Sequence, residues 1–169
     1  RAGPGGTGSA KAGGNYAASL LPQIQAEAKG FSQVCFLDTY EGKYLEELGG
    51  MNMFVVMADG TIRTPELTGV ILEGGTRSAI LRMLRDEGVA VREEKIALSE
   101  VVDGIRSGAV AEVFACGTAA VVTPITRLGS DDFDVELEVG NKTREIHRRL
   151  TDIQWGRAED PYGWTYRLV

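Results

Sequence analysis

Residues 5–16 read GGTGSAKAGGNY, so that a single lysine, Lys11, lies between glycines on both sides. Glycine lacks a Cβ, and the backbone here can therefore take positive φ and let a bulky ligand come close. A lysine held in such a place can lose solvation, titrate below its usual range and react as a Schiff-base amine. The same composition is also typical of a glycine-rich tail with one ordinary lysine, and on the glycines alone the tail is favoured.

The size and composition of the chain fit one ordinary domain. It has 169 residues, of which 43% are hydrophobic and 25% charged, and a domain of this size buries roughly 70% of its unfolded surface. The formal net charge of −6 argues against a nucleic-acid partner, which would favour a basic face. No apolar run reaches the roughly 18 to 20 residues of a membrane helix, and the first residues lack the apolar core of a signal peptide. We therefore expect a soluble, cytoplasmic protein without a membrane partner.

The cysteines and the single histidine argue against other chemistries. Cys35 and Cys116 lie in apolar, strand-like runs, and two cysteines are too few for a disulfide framework. No metal-ligand spacing accompanies them, so we predict no metal site. His147 lies on a charged, helix-like stretch, which makes histidine-based catalysis an unfavoured hypothesis.

The hydrophobic pattern predicts a mixture of helices and strands. Apolar residues recur at helical spacing at about 15–29, 76–87, 99–105 and 141–153. Short apolar or β-branched runs predict strands at 34–37, 53–57, 61–64, 89–96, 111–116 and 119–125. Because this order departs from a strict βαβ alternation, the predicted fold class is α+β.

Several boundaries carry local signals. Asp59-Gly60 between two strand-like runs predicts a hairpin. Pro22 should kink the first helix or tighten its first turns, and Gly30 should end that helix. Asn141 should cap the last helix.

Three further segments complete a pattern with the lysine region. They are YLEELGGMNMF (44–54), RTPELTGVILEGGTR (63–77) and EVFACGTAA (112–120). In wording, order and spacing, the four segments resemble those of the branched-chain amino acid aminotransferases. These are class IV pyridoxal phosphate (PLP) enzymes with the D-amino-acid-aminotransferase-like fold, fold type IV. The resemblance covers nearly the whole chain, including Tyr162-Gly163-Trp164 near its end.

The resemblance implies an activity and an incomplete enzyme. The activity is PLP-dependent transamination of Leu, Ile and Val with 2-oxoglutarate, which serves branched-chain amino acid biosynthesis. Members of the family are longer and carry an additional N-terminal small domain. We therefore expect residues 1–169 to be the C-terminal, PLP-binding large domain, with the N-terminal domain absent from this chain and needed as a partner. A homodimer is also implied.

Two alternatives stay open. Another class IV enzyme, a D-amino-acid aminotransferase or an aminodeoxychorismate lyase, would have the same fold, although residues 47–52 and 116–120 resemble the branched-chain enzymes better. An inactive fragment, or half of a split enzyme that needs a partner chain, would also give this sequence.

By resemblance, three residues act on the cofactor ring. Lys11 would bind PLP covalently and, once released, carry the proton at the substrate Cα. Glu47 would face the pyridine nitrogen and keep it protonated, and the Tyr16 hydroxyl would hydrogen-bond the phenolic oxygen. Glu46 is the rival of Glu47, because alternation along a strand would turn only one of them inward.

The predicted phosphate site has a physical signature of its own. Glu73-Gly74-Gly75-Thr76 opens a predicted helix, and helix N-termini bind phosphate through free N–H groups and the helix dipole. We expect Gly75 and Thr76 to bind the phosphate, together with the hydroxyl of Thr118 from the last segment. Glu73 stands where the family usually has proline, which predicts a looser turn.

The substrate carboxylate would lie near two small residues. By resemblance, Gly50 and Ala119 offer backbone N–H groups or space there. A phosphate-binding arginine and much of the substrate pocket would come from the N-terminal domain.

Overall fold

A computed structural model of the chain describes residues 1–168 and has the predicted α+β architecture. The helices are α1 (Gly13–Ala17), α2 (Leu20–Ala28), α3 (Gly75–Asp86), α4 (Leu98–Ser107) and α5 (Asn141–Gln154). The strands are β1 (Cys35–Leu37), β2 (Leu45–Leu48), β3 (Asn52–Met57), β4 (Ile62–Pro65), β5 (Val91–Glu94), β6 (Val110–Gly117), β7 (Val121–Ile125), β8 (Arg127–Gly129) and β9 (Asp134–Glu136). None of the helices in this range is both long enough and apolar enough to cross a membrane.

A five-stranded sheet in the order β5-β4-β3-β6-β7 forms the centre of the domain. The β4–β5 pair is parallel and the other neighbours are antiparallel. The predicted hairpin is confirmed, because β3 and β4 pair across a turn in which Gly60 takes a φ of 87°. In the β3–β6 pair Asn52 lies opposite Cys116, so the loops at this end of the two strands are neighbours.

Apolar side chains pack on both faces of this sheet. On one face the rings of Phe54 and Phe114 stack with centroids 4.9 Å apart, and Leu84 of α3 and Leu150 of α5 belong to the same core. On the other face Met53 and Val113 pack with Val101 of α4 and with β2. The residues that form β3 and β6 are therefore almost completely buried.

The predicted helix over residues 15–29 is two helices, which corrects that expectation. The helix is interrupted at Ala18-Ser19, between α1 and α2. Pro22 then lies in the first turn of α2, where its ring and missing N–H are tolerated. Gly30 follows α2 with a φ of 81°, so the predicted stop is confirmed.

The predicted cap on the last helix is wrong. Asn141 is the first residue of α5, and its N-cap is Gly140, whose residue type has no side chain to offer. The carboxylate of Glu112 on β6 instead accepts hydrogen bonds from the N–H groups of Lys142 (3.0 Å) and Thr143 (2.7 Å). A Cβ on Gly140 would overlap this carboxylate, so glycine allows the strand to cap the helix.

Candidate active site

The glycine-rich segment around Lys11 is a structured loop, not a tail. The side-chain amide of Asn15 donates to the carbonyls of Thr7 and Ala10, both at 2.8 Å, and the Thr7 hydroxyl donates to Asn15 Oδ1 at 2.7 Å. Gly8 is buried, and a Cβ there would overlap the backbone of Val70. Glycine at this position therefore lets the loop pack against the segment that precedes α3.

Lys11 and Tyr16 lie close together at the start of α1. The Lys11 Nζ is 5.8 Å from the centroid of the Tyr16 ring. Lys11 is exposed and Tyr16 is half-buried. The glycines were expected to let Lys11 lose solvation, but in this chain its side chain is exposed to solvent. The reason is that the loop packs against the domain through Gly8 and Asn15 instead.

Both acids of β2 are buried, which corrects the expectation that only one would turn inward. Glu47 is 3% exposed and Glu46 is 7% exposed. The reason is that residues before Lys11 pack over the strand: Arg1 bonds the Glu47 carboxylate, and Pro4 lines a small cavity with Glu46. Alternation along a strand separates the two faces, but here both faces are covered.

Arg1 links two of the predicted ring residues. Its Nε donates to Glu47 Oε1 at 2.8 Å, and its guanidinium carbon lies 6.0 Å from the centroid of the Tyr16 ring. Its Nη2 also donates to Glu47 and to the carbonyl of Gly8, the latter at 3.1 Å. Burial raises the pKa of Glu47, while the hydrogen bonds and charge of Arg1 and a hydrogen bond from the Leu72 backbone oppose this shift.

The residues predicted to bind phosphate meet in one cleft of about 500 Å³. Gly75 and Thr76 begin α3, and Thr118 lies on the loop between β6 and β7. Arg82 and Trp164 also line this cleft. The N-cap residue of α3 is Gly74, which has no side chain to cap the helix, so its first N–H groups are available to a ligand.

The predicted substrate residues lie on two adjoining loops. Gly50 precedes β3 and Ala119 follows β6, and both are exposed. The loops touch, since a Cβ on Gly117 would lie 3.3 Å from Met51 Cγ. Val121 follows with a φ of 53°, a conformation that β-branched residues rarely adopt, and such strain is concentrated at functional loops.

Two buried polar residues, neither of them among the predicted site residues, contact the turn before α3 and the start of that helix. Asn52 Nδ2 donates to the carbonyl of Leu72 at 2.7 Å. Arg77 is 2% exposed, donates to the carbonyl of Pro65 at 3.0 Å and pairs with Glu93 at 2.8 Å. In the sequence each of them is a polar residue that interrupts an apolar strand or helix. The spacing of apolar residues predicts the strand or helix, but it does not predict what such a polar residue binds.

Several of these residues fit the binding of a phosphorylated aldehyde cofactor. The uncapped helix start and the Thr118 hydroxyl suit a phosphate, because both offer hydrogen-bond donors to an anion. A buried carboxylate suits a protonated ring nitrogen, and an amine beside a tyrosine suits a carbonyl carbon. No group of three or more potential metal ligands occurs within residues 1–168.

Comparison with known protein sequences gives consistent matches over the whole chain. Residues 4–128 match the family described as amino-transferase class IV. The chain is 47% identical over 172 residues to the probable branched-chain-amino-acid aminotransferase of Streptomyces coelicolor, with 100% of this chain and 47% of that protein covered. It is also 47% identical over 174 residues to the branched-chain-amino-acid aminotransferase of Mycobacterium tuberculosis, with 99% and 47% covered.

Solved structures give the same result. The branched-chain amino acid aminotransferase of Escherichia coli superposes with a TM-score of 0.81 at 34% identity, covering 97% of this chain and 51% of that one. Another branched-chain amino acid aminotransferase, solved with pyridoxamine 5'-phosphate, superposes with a TM-score of 0.78 at 33% identity, covering 94% and 49%. The chain spans about half the length of the relatives it matches.

Proposed function

The chain belongs to the class IV aminotransferases, and we propose that it is the C-terminal, PLP-binding domain of a branched-chain amino acid aminotransferase. The complete enzyme would transfer the amino group of Leu, Ile or Val to 2-oxoglutarate, giving branched 2-oxo acids and glutamate. The names of the relatives that match nearly the whole chain support this substrate class.

The observation that carries the proposal is the cleft shared by the start of α3 and the β6–β7 loop. Gly75 and Thr76 would bind the cofactor phosphate through backbone N–H groups, and Thr118 would add its hydroxyl. These residues come from segments about 40 positions apart in the chain. Their meeting at an uncapped helix N-terminus is what a phosphate-binding site requires.

PLP, when bound, supplies an electron-withdrawing ring that stabilises negative charge at the substrate Cα. Lys11 would hold the cofactor covalently and then move a proton at the substrate Cα through its Nζ. Glu47 would hold the proton at the pyridine nitrogen, and Tyr16 would donate to the phenolic oxygen. Gly50 and Ala119, on adjoining loops, would leave room and N–H groups for the substrate carboxylate.

The site needs a second domain in this proposal. Lys11 is exposed here, as are the large apolar residues Leu20, Leu21 and Ile24 of α2. A proton-transferring amine works best away from bulk water, and exposed apolar groups of this size indicate a covered surface. We propose that an N-terminal domain, in the same or a complementary chain, covers Lys11 and completes the phosphate and substrate sites. Biosynthesis, homodimer formation and a cytoplasmic location stay predictions.

The test is to express this domain alone and fused behind the N-terminal domain of the Streptomyces coelicolor relative. We expect the fused enzyme to transaminate L-leucine with 2-oxoglutarate and the domain alone to be inactive. Turnover by the domain alone near the enzyme median of about 10 per second would contradict the need for a second domain. D-alanine in the same assay separates the branched-chain enzyme from a D-amino-acid aminotransferase.

A chemical label identifies the lysine. After borohydride reduction of the fused enzyme, peptide mapping should place the pyridoxyl group on Lys11. Lys29, which pairs with Asp131 at 2.5 Å, and Lys43, which lies over the Tyr44 ring at 5.1 Å, are the internal controls. A label on either of them, or none at all, would overturn the assignment.

A further inference from the structure

Asn52 contacts the turn that leads into α3 without lining the phosphate cleft. It is the first residue of β3 and is 6% exposed. Its Nδ2 donates to the carbonyl of Leu72 at 2.7 Å, and its Oδ1 faces Gly74 so closely that a Cβ on Gly74 would overlap it. One side chain therefore contacts both ends of the turn formed by residues 72–74.

This contact explains why the helix start is open to a ligand. The N-cap of α3 is Gly74, which takes a φ of 70°. An N-cap side chain usually accepts hydrogen bonds from the first helical N–H groups. Asn52 Oδ1 occupies the space that such a side chain would enter, so the turn accepts only glycine, and the N–H groups of Gly75 and Thr76 keep no internal side-chain partner.

Asn52 also joins the two halves of the cleft. It lies opposite Cys116 in the β3–β6 pair, and Cys116 is two residues before Thr118 in the chain. The body of α3 has a separate anchor, because Arg77 bonds the carbonyl of Pro65 and the carboxylate of Glu93. Arg77 thus anchors the helix in addition to its buried apolar face, and Asn52 holds the shape of the turn before it.

We infer that Asn52 is a positioning residue, which shapes the turn at residues 72–74 so that the N–H groups of Gly75 and Thr76 point to the cofactor phosphate. This inference rests on the proposed function. Lys11, Tyr16 and Glu47 are not among the hydrogen-bond partners of Asn52. Its link to Glu47 is indirect, because Asn52 bonds the Leu72 carbonyl while the backbone of the same residue bonds Glu47, so we assign the main effect of Asn52 to the phosphate. A loss of Asn52 should therefore weaken binding of the phosphorylated cofactor and spare binding of its dephosphorylated form.

The experiment compares the affinity of the fused apoenzyme for PLP and for pyridoxal, which lacks the phosphate. We expect Asn52→Leu to weaken PLP binding about tenfold, the effect of one buried hydrogen bond, and to leave pyridoxal binding within twofold of wild type. The matched control is Thr64→Val, which removes a buried hydrogen bond of 2.7 Å to the carbonyl of Met53 on the neighbouring strand. It should lower the melting temperature and change neither affinity.

The outcomes separate the inference from the proposed function. If the fused enzyme without substitutions binds neither PLP nor pyridoxal, the proposed function is overturned and the inference with it. A wild-type enzyme that binds PLP, with an Asn52→Leu variant that loses both ligands equally or loses neither, would overturn the inference alone. Asn52→Ser shortens the side chain without adding an apolar group, should give the same selective loss, and replaces the leucine variant if that one does not fold.

Discussion

Arg1 donates from its Nε to the Oε1 of Glu47 across 2.8 Å, and both side chains are buried. A charge at this depth needs a partner, because leaving one member of a buried pair alone costs about 3–5 kcal/mol. Arg1 offsets part of the rise that burial causes in the pKa of Glu47. The same guanidinium reaches the Tyr16 ring, so one side chain holds both residues that would flank the cofactor ring.

This pair gives the first prediction, the replacement of Glu47 by glutamine in the fused enzyme. Glu47→Gln should lower the melting temperature, because it leaves the buried Arg1 guanidinium without a charged partner. In the folded, PLP-bound enzyme it should lower turnover by orders of magnitude, because an amide does not hold the ring nitrogen in its protonated form. Glu46→Gln is the matched control, since Glu46 is the adjacent residue and is also buried. Steady-state kinetics with L-leucine decide between them, and a silent Glu47→Gln beside an inactive Glu46→Gln would show that the two acids have exchanged roles.

The cap of α5 gives the second prediction, which concerns stability. Glu112→Gln should lower the free energy of unfolding by about 1–2 kcal/mol, the usual worth of an N-cap, because an amide has only one accepting oxygen for the two N–H groups of Lys142 and Thr143. Glu138→Gln, at an exposed position nearby, should change it by less than about 0.5 kcal/mol. Urea denaturation of both variants measures the difference, and equal stabilities would contradict the capping role.

The main helices and strands could be predicted from the sequence because their signals are local. The apolar spacing of α3, α4 and α5, the turn at Asp59-Gly60 and the apolar runs of β3, β6 and β7 all depend on neighbouring residues. The break between α1 and α2, and the short β8–β9 hairpin with its Arg127–Asp134 ion pair, have no comparable local pattern. They were therefore missed.

Only those residues of the candidate site that lie within the sequence motifs could be predicted. Gly75, Thr76 and Thr118 were expected together and do line one cleft. The polar contacts around the candidate site act over long separations: Asn52 bonds Leu72, Glu112 bonds the start of α5, and Arg1 bonds Glu47. A pattern of periodicity contains no information about such partners, because they are brought together only by the packed sheet.

The turn after β1 gives a prediction of pH dependence. Asp38 accepts hydrogen bonds from the N–H groups of Tyr44, Glu41 and Lys43 at 2.7–2.8 Å, which lower its pKa from 3.8 to about 2. A lowered pKa in the folded state means that this stabilisation is present above the ordinary pKa and is lost as pH falls from 3.8 towards about 2. Its carboxyl signal in an NMR titration should have a midpoint near the lower value.

Denaturation series at several pH values check the same point. The stability difference between wild type and Asp38→Asn should be largest at neutral pH and should shrink below the ordinary pKa. Asp132→Asn, in an exposed loop, is the control and should leave the pH profile unchanged. A carboxyl midpoint of Asp38 at or above its ordinary value would contradict the role of the three N–H groups.

The buried thiol gives a fourth prediction. Cys116 is 0% exposed, and burial raises its pKa to about 12, so almost none of it is thiolate at neutral pH. In a Cys35→Ser variant, which keeps one thiol, iodoacetamide at mildly alkaline pH should leave the folded chain unmodified and should label Cys116 in urea. Rapid labelling of the folded chain would show that the region around Cys116 opens to solvent.

The last prediction concerns α2, whose apolar side has no cover within the described part of the chain. Leu20, Leu21 and Ile24 are 64–65% exposed, and their clustering on one short helix should make the isolated domain self-associate. Replacing all three with glutamine should make the isolated domain monomeric in sedimentation velocity and change its stability by less than about 1 kcal/mol, because no buried contact is lost. Gln25→Ala with Glu27→Ala, at exposed polar positions of the same helix, should leave self-association unchanged.

In the fused enzyme the triple variant should lose part of the rise in melting temperature that the N-terminal domain confers, because that domain would cover these residues. A triple variant that associates like wild type would show that α2 is not the contact surface, and an unchanged melting temperature in the fused form would show that the N-terminal domain packs elsewhere.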